Sequence, residues 1–288
     1  MRGGFIIMKV NQSRMIITVI AVVLIFLTVL ILFWRRHYVN YTDPNGELIQ
    51  GKFANSTNAF DGTFRVVTWN LHFGEKLDEV IKTLEITREL HDADLMLLQE
   101  IDEDGVENIA RSLHYNYIYY PTVFSRQRGK EYGLAILSKW PLKDSGKILL
   151  PNWLPGWVEN RYAIKVVASV HSMDITVYNT HLDVAWMRHQ GKFLGTELSQ
   201  PVDPTILGGD FNTWQPSSIA ALESYMQNIG MERLTQGTGY TFETNVLRFT
   251  LDHIFSNESL DYTAGVSRQT DASDHFPVWV EMKLDFGD

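Results

Sequence analysis

The stretch Leu207-Gly-Gly-Asp-Phe-Asn-Thr213 closes a short apolar run that begins at Pro204. A buried strand that stops at glycines lets another backbone or a ligand approach closely. Asp210 and Asn212 stand two residues apart, and on extended chain such side chains point to the same side. They would present a carboxylate and an amide to one point at the mouth of a sheet. The alternative is a strand end followed by an ordinary Asx turn.

Polar side chains end five other apolar runs in the same way. Because ligand sites in α/β sheets gather where strand ends meet, we expect these side chains to share one cleft. Solvation explains any one of these ends, but six together favour a site. Beside the first stretch, the polar ends are Trp69-Asn70, Gln99-Glu100, Asn179–Asp183, Leu251–His253 and Ser273–His275.

The residue types at these ends select a class of reaction. The oxygen ligands suit Mg²⁺, Mn²⁺ or Ca²⁺ rather than structural zinc, and the chain has no cysteine. His181 and His275 can move protons or donate to a phosphoryl oxygen near neutral pH. Neither a G-x-S-x-G elbow nor a P-loop is present, so the set fits attack of water on a phosphoester. The oxygen ligands are Asn70, Glu100, Asp210, Asp252 and Asp274.

Charge is divided unevenly along the 288 residues. Residues 1–42 hold five basic and no acidic residues, which leaves 20 basic against 34 acidic residues, a net charge of −14, for the rest. Such a domain should not adhere to polyanions through a general basic face. It could still act on phosphate esters if cations neutralise the site locally. A hydrophobic content of 45% predicts a sizeable core.

Met15–Trp34 is an uncharged run of twenty residues followed by two arginines. As a helix it would be roughly 30 Å long, about the hydrocarbon thickness of a bilayer, and we predict an uncleaved single-pass transmembrane anchor. The balance of flanking basic residues favours an extracytoplasmic catalytic domain. The predicted division is a short tail at 1–14, the anchor at 15–36, a linker at 37–63 and a catalytic domain at 64–288.

From residue 64 onward, helical patterns alternate with strands and hairpins are frequent, which predicts mixed sheets with helices outside. Over about residues 64–284 the chain resembles the endonuclease/exonuclease/phosphatase family, which includes deoxyribonuclease-I-like nucleases. The resemblance implies an α/β fold, a four-layer α/β sandwich of two packed mixed sheets flanked by helices. It rests on T-W-N (68–70), L-L-Q-E (97–100), Y-G-L-A-I-L-S (132–138), N-T-H-L-D (179–183), G-G-D-F-N (208–212), L-D-H-I-F (251–255) and S-D-H-F-P-V (273–278).

The resemblance also implies roles for the metal-binding side of the site. Glu100 would bind the divalent cation, with Asn70 beside it and Asp274 supporting the metal or the phosphate. The cation implied is Mg²⁺, with Mn²⁺ or Ca²⁺ as alternatives. Tyr132 matches a family position that contacts phosphate, so it is a substrate-binding candidate.

The remaining roles concern the attacking water and the phosphate. The resemblance implies that Asp210 and Asn212 orient the water and hold the phosphate. His275 would act as general base held by Asp252, and His181 would contact the phosphate or serve as the acid. Whether Asp210 or His275 activates the water stays open at this point.

Other candidates carry a second interpretation. His253 should point away from Asp252 and pack locally. Arg161 could bind phosphate or form a surface pair with Glu159. The loop with Trp153 and Trp157 could touch lipid, cover a sheet edge or line a substrate pocket.

The expected function is a divalent-metal-dependent phosphoester hydrolase, a phosphodiesterase or a phosphatase. An anchor at residues 15–34 would bring the site to lipid head groups at high effective concentration, so we expect a phospholipid or small phosphoester rather than nucleic acid. No obligate protein partner is expected. The alternative is a deoxyribonuclease-I-like endonuclease, and a less favoured one is a membrane-tethered binding module without catalysis.

Overall fold

The computed structural model describes residues 12–41, 48–55, 60, 62–155, 158–258 and 261–284. These residues form two mixed sheets, one small hairpin and five α-helices. The helices are α1 (Gln12–His37), α2 (Leu77–Ile86), α3 (Glu103–Leu113), α4 (Met187–Leu198) and α5 (Pro216–Gln227), and a 3-10 turn covers His72–Gly74.

The first sheet has eight strands and the second has six. The first contains β1 (Tyr38–Asn40), β2 (Ile49–Lys52), β3 (Thr63–Asn70), β4 (Leu95–Ile101), β5 (Asn116–Ser125), β6 (Lys130–Ser138), β15 (Tyr262–Val266) and β16 (Val278–Lys283). The second contains β7 (Leu142–Leu149), β8 (Tyr162–Val170), β9 (Met173–His181), β10 (Thr205–Asp210), β11 (Glu232–Arg233) and β14 (Asp252–Ser256). The hairpin is β12 (Phe242–Glu243) with β13 (Arg248–Phe249).

Strand order places the polar strand ends side by side. The first sheet runs β1-β5-β6-β4-β3-β16-β15, with β2 also on β5, and the second runs β11-β14-β10-β9-β8-β7. The pair β3–β4 is parallel, as is β9–β10, so their carboxyl ends meet. In register, Asp210 faces His181 on one neighbour and Asp252 on the other.

The core lies in three layers that define a four-layer sandwich. Apolar side chains of both sheets, such as Leu97 and Val177, pack against each other between the sheets. Helices α2 and α3 bury Leu84 and Ile109 on the outer face of the first sheet, and α4 with α5 buries a third cluster on the outer face of the second. Alternation of buried side chains along each strand lets both faces of the sheets be covered. The predicted mixed α/β sandwich is confirmed.

The prediction of a transmembrane anchor at residues 15–36 is wrong. The run is helical, as part of α1, but within the described residues no helix is both long and apolar enough to cross a membrane. The predicted single-pass location and the extracytoplasmic placement lose their basis with it.

The range predicted as a linker, 37–63, contributes strands to the first sheet. Strand β1 pairs with β5 through Asn40 and Val123, and β2 pairs with the other half of β5 through Lys52 and Asn116. The pairing supplies the hydrogen bonds that this polar, Gly-containing stretch could not satisfy alone. The predicted domain boundaries stay a prediction.

Gly209 shows why strand β10 has glycine directly before Asp210. Its φ is +144°, and a Cβ there would lie 1.9 Å from the carbonyl oxygen of Thr180 on β9. At Gly208 a Cβ would lie 2.6 Å from Leu97 Cδ1 of the opposite sheet. Gly209 is therefore required for the close backbone packing that brings Asp210 to its neighbours, whereas at Gly208 the flexible Leu97 side chain would have to move.

We predict that Gly209→Ala lowers the free energy of unfolding by about 2–4 kcal/mol, because the new methyl group cannot avoid backbone. The matched control is Gly146→Ala on β7, where a Cβ meets nothing within 4 Å; it should change stability by less than about 0.5 kcal/mol. Urea unfolding of both variants measures the difference. Equal stabilities would contradict the assigned packing.

Candidate active site

Polar strand ends from both sheets line one cleft with a volume of about 470 Å³. One wall is polar, and the other carries apolar side chains from the hairpin and from the loops after β9 and β10. The polar lining is Asn70, Glu100, Arg161, His181, Asp210, Asn212, Asp274 and His275; the apolar lining is Val184, Trp214, Phe242, Phe249 and Leu251.

Asp210 lies at the centre of the polar wall and is 1% exposed. Its Oδ2 accepts a hydrogen bond from Asn70 Nδ2 at 3.1 Å, and its Oδ1 accepts one from the backbone N–H of Asn212 at 2.9 Å. Two imidazole nitrogens approach the same Oδ2, His181 Nε2 at 3.4 Å and His275 Nε2 at 3.7 Å. Burial raises the pKa of Asp210, although His275 opposes the shift. Asp210 is thus suited to exchange a proton near neutral pH.

Asp252 orients the ring of His275 from the opposite side. Its Oδ2 lies 2.9 Å from His275 Nδ1 and accepts a hydrogen bond from the hydroxyl of Thr241 at 2.6 Å. Burial lowers the pKa of His275, but the carboxylates of Asp252 and Asp210 outweigh it and raise that pKa. The pair leaves His275 Nε2 aimed into the cleft. The register of β10 with β14 places Asp252 directly opposite Asp210.

Glu100 reaches the cleft through a β-bulge in β4. The register with β6 shifts between Gln99 and Ile101, and Glu100 itself has a φ of +52°. Such strained positions re-aim side chains and cluster at functional sites. Its Oε1 lies 3.9 Å from His181 Nδ1, and burial raises the pKa of Glu100 against the opposing effect of Arg161.

The predicted metal ligands supply oxygen donors of the right chemistry. Glu100, Asn70 and Asp274 line the same cleft, and two of the three are carboxylates. Asp274 Oδ1 lies 3.3 Å from His72 Nδ1, and Asn70 Oδ1 accepts a hydrogen bond from the His72 backbone N–H at 3.1 Å. Oxygen donors of this kind fit a hard divalent cation such as Mg²⁺.

A second set of side chains with possible metal-ligand atoms lies deeper in the same site. One ligand atom each of Asp210, Asp252 and His275 falls within 4.8 Å of the others. Asp252 Oδ1 is buried and without a hydrogen-bond partner among the described residues, whereas Asp252 Oδ2 is already engaged by Thr241 and His275. Asp252 is hydrogen-bonded to His275, and the carboxylates of Asp252 and Asp210 face the His275 ring from two sides. This arrangement suits the three residues to hold protons.

Arg161 is the site residue that the sequence analysis left undecided. Its side chain is 16% exposed, and its Nη1 lies 3.1 Å from His181 Nδ1 and 3.3 Å from Glu159 Oε1. Its Nε is buried without a partner among the described residues. Burial, with Arg161 and His275 nearby, lowers the pKa of His181 well below its ordinary value, so the His181 ring is neutral. The only signal in sequence was an acid and a base two residues apart before a strand.

The other predicted residues lie as follows. Asn212 has a φ of +51°, lines the cleft and donates through Nδ2 to the carbonyl oxygen of Leu182 at 2.7 Å. Tyr132 is 6% exposed and lines a small pocket next to Glu100 and Arg161. Its phenol is neutral, because burial raises its pKa.

Two further interpretations can be compared with the structure. His253 is fully buried and its Nε2 lies 2.7 Å from the hydroxyl of Thr213, so it packs locally as expected. Trp153 is 41% exposed, while Trp157 lies outside the described residues. Sequence reasoning had no signal for Thr241 or for the apolar wall, because these residues reach the site only through the folding of the hairpin and of the loops around it.

Comparison with known proteins now gives this site a family. The profile of the endonuclease/exonuclease/phosphatase family matches residues 67–275, which include every predicted site residue. The chain therefore belongs to the endonuclease/exonuclease/phosphatase family, a superfamily of phosphoester hydrolases.

Individual relatives span most of the chain. A UPF0294 protein of Vibrio vulnificus is 24% identical over 239 residues, 78% of this chain and 78% of that protein. One from Yersinia enterocolitica is 25% identical over 244 residues, 76% of this chain and 83% of that protein.

Solved structures share the fold at low identity. A family protein from Leptotrichia buccalis superposes with a TM-score of 0.63 at 19% identity, over 77% of this chain and all of that one. Truncated TDP2 of Caenorhabditis elegans superposes with a TM-score of 0.60 at 18% identity, over 77% of this chain and 98% of that one. A mannosyl-6-phosphatase of Bacteroides thetaiotaomicron superposes with a TM-score of 0.58 at 20% identity, over 77% of this chain and all of that one.

We predict that Asp252→Asn lowers the pKa of His275, because the amide keeps the shape of the carboxylate but removes the charge that favours the imidazolium. A pH titration of the His275 ring followed by NMR measures the pKa. Asp174→Asn removes an exposed carboxylate that pairs with Lys143 and should leave the value unchanged. An unaltered His275 pKa in Asp252→Asn would contradict the assigned pair.

Proposed function

We propose that this protein is a divalent-metal-dependent phosphoester hydrolase that uses water as the nucleophile. The observation that carries the proposal is the convergence on Asp210 of two imidazoles, an amide and a backbone N–H in a cleft that also holds two further carboxylates. This arrangement has general acid–base groups and hard oxygen ligands, and no covalent nucleophile is needed.

The cation would be held by Glu100, Asp274 and the Asn70 amide. When bound, it would supply Lewis-acid stabilisation of the charge that develops on the phosphoryl oxygens. The geometry around Glu100 supports this role, since its strained backbone turns the carboxylate into the cleft beside His181. Mg²⁺ is the proposed ion, with Mn²⁺ as a substitute.

The protein groups divide the proton and charge work. Asp210, whose pKa is raised by burial, would take the proton of the attacking water. His275, whose pKa is raised by Asp252 and Asp210, would give its Nε2 proton to the leaving-group oxygen as the bond from that oxygen to phosphorus breaks. Arg161 would donate from its guanidinium to a phosphoryl oxygen and offset its charge. This assignment makes Asp210 rather than His275 the base.

The proposed substrate is a small phosphoester. The net charge of −14 over residues 43–288 disfavours a polyanion, and the apolar wall of the cleft would suit a non-ionic group next to the phosphate. The preference for a lipid head group depended on the anchor and is not carried forward. One of the structural neighbours is a mannosyl-6-phosphatase, which is compatible with hydrolysis of a small phosphomonoester. An endonuclease remains the competing proposal.

We predict that chelation with EDTA abolishes hydrolysis of bis(p-nitrophenyl) phosphate and that Mg²⁺ or Mn²⁺ restores it. Glu100→Gln should lower kcat/KM at least about 100-fold and raise the Mg²⁺ concentration needed for half-maximal rate, because one charged ligand is lost. Glu107→Gln, a surface residue paired with Arg111, is the matched control and should be unchanged. Full turnover in both Glu100→Gln and His275→Ala would refute the site and favour a binding module.

A substrate panel separates the proposal from the nuclease alternative. We expect turnover of a glycerophosphodiester or a sugar phosphate, with no cleavage of plasmid DNA and little dependence of kcat/KM on salt concentration. Rates are measured by phosphate release for the sugar phosphate, by release of the alcohol for the glycerophosphodiester, and by gel for the plasmid. Rapid DNA cleavage with a steep loss of rate at higher salt would support the endonuclease instead.

A further inference from the structure

The edge strand β1 contacts the segment that leads to Arg161. Asn40, its last residue, donates from Nδ2 to the carbonyl oxygen of Val158 at 2.8 Å. Its Oδ1 accepts a hydrogen bond from the backbone N–H of Asn160 at 2.9 Å. One side chain thus holds two backbone groups on either side of Glu159.

This contact joins the two sheets at the edge of the site. Strand β1 belongs to the first sheet, and residues 158–160 precede β8 of the second. The next residues repeat the link: the Tyr162 hydroxyl donates to the carbonyl oxygen of Tyr41, and the Tyr41 backbone N–H donates to the carbonyl oxygen of Thr122 at 3.1 Å. Asn40 and Tyr41 are therefore fixed to both sheets.

The segment that Asn40 contacts, residues 158–160, leads directly into Arg161, which is the only arginine that lines the described cleft. Asn160 lies between Glu159 and Arg161, and both of these neighbours are turned inward, where Arg161 meets His181. A long arginine side chain keeps one position only if its backbone is fixed, since its rotamer freedom opposes ordering. A misplacement of about 1 Å in such a group can cost 100-fold in rate.

We propose that Asn40 is a positioning residue that sets the Glu159–Arg161 pair against His181. The catalytic cost of its loss rests on the proposed function of Arg161, whereas the positioning itself does not. The strand β1, in the range predicted as a linker, is then part of the functional unit, and a chain that starts after residue 42 would lose activity.

A double-mutant cycle tests whether Asn40 acts through Arg161. Asn40→Ala should lower kcat/KM for bis(p-nitrophenyl) phosphate about tenfold in the wild-type chain and less than about twofold in an Arg161→Ala background. The matched control is Asn116→Ala, since Asn116 also uses both ends of its side chain on backbone, with Ala54 N–H and the carbonyl oxygen of Trp140. It should cost less than about twofold in both backgrounds.

A second measurement does not depend on activity. The Nε–Hε NMR cross-peak of Arg161, assigned by its absence from Arg161→Lys, should shift or broaden in full-length Asn40→Ala and stay unchanged in Asn116→Ala. Thermal unfolding of both variants checks that their stabilities match. If the wild-type chain hydrolyses no phosphoester, the proposed function fails and the cross-peak alone decides the positioning role. Equal catalytic losses in both Arg161 backgrounds, or an unchanged cross-peak in Asn40→Ala, would overturn it.

Discussion

The buried hydrogen bond between Gln99 Nε2 and Asn179 Oδ1, 2.7 Å long, joins the two sheets beneath the cleft. Both side chains are fully buried, and the Asn179 amide donates in addition to the carbonyl oxygens of Leu98 and Ala135 in the first sheet. If the sheets slid past each other, these amides would be stranded without partners, at a cost of several kcal/mol. Glu100 follows Gln99 directly, and His181 lies two residues after Asn179. This bond therefore also fixes the distance between Glu100, which is proposed to bind the cation, and the imidazole of His181.

The site above this bond is stable because its charges alternate. Asp252 faces His275, His275 faces Asp210, and Arg161 faces Glu159, so that groups of opposite charge adjoin in each of these three pairs. The neutral ring of His181 separates the two groups, which keeps Arg161 from neutralising Asp210 directly. Removal of any one member leaves an uncompensated buried charge. The side of the site with Glu100 and Asp274 is therefore acidic and suits a cation, and the side with His275 and Arg161 is rich in hydrogen-bond donors. A phosphoryl group could contact the cation with one oxygen and the donors with another.

Local patterns predicted the parts of this site that lie directly at strand ends. Asp210, Asp252 and His275 could be found because a run of apolar residues that stops at a polar one is visible in a few letters of sequence. Arg161 was left between two interpretations, since it lies beside His181 and its neighbour Asn160 is held by Asn40, contacts between residues far apart in the chain. The short strand β1 gave no signal for the same reason: only pairing with β5 makes it a strand. The apolar helix was predicted correctly as a helix and wrongly as a transmembrane span.

The mixed α/β layers, the polar strand ends and the family could be predicted from local patterns, because apolar periodicity and short motifs are properties of short stretches of the chain. Which of these strand ends touch depends on the folded arrangement of the strands. The register of β10 between β9 and β14 gives Asp210 its two neighbours, and the bulge at Glu100 turns a carboxylate into the cleft. Those contacts, and the pKa shifts that follow from them, depend on burial and on distances between residues far apart in sequence, which no local pattern contains.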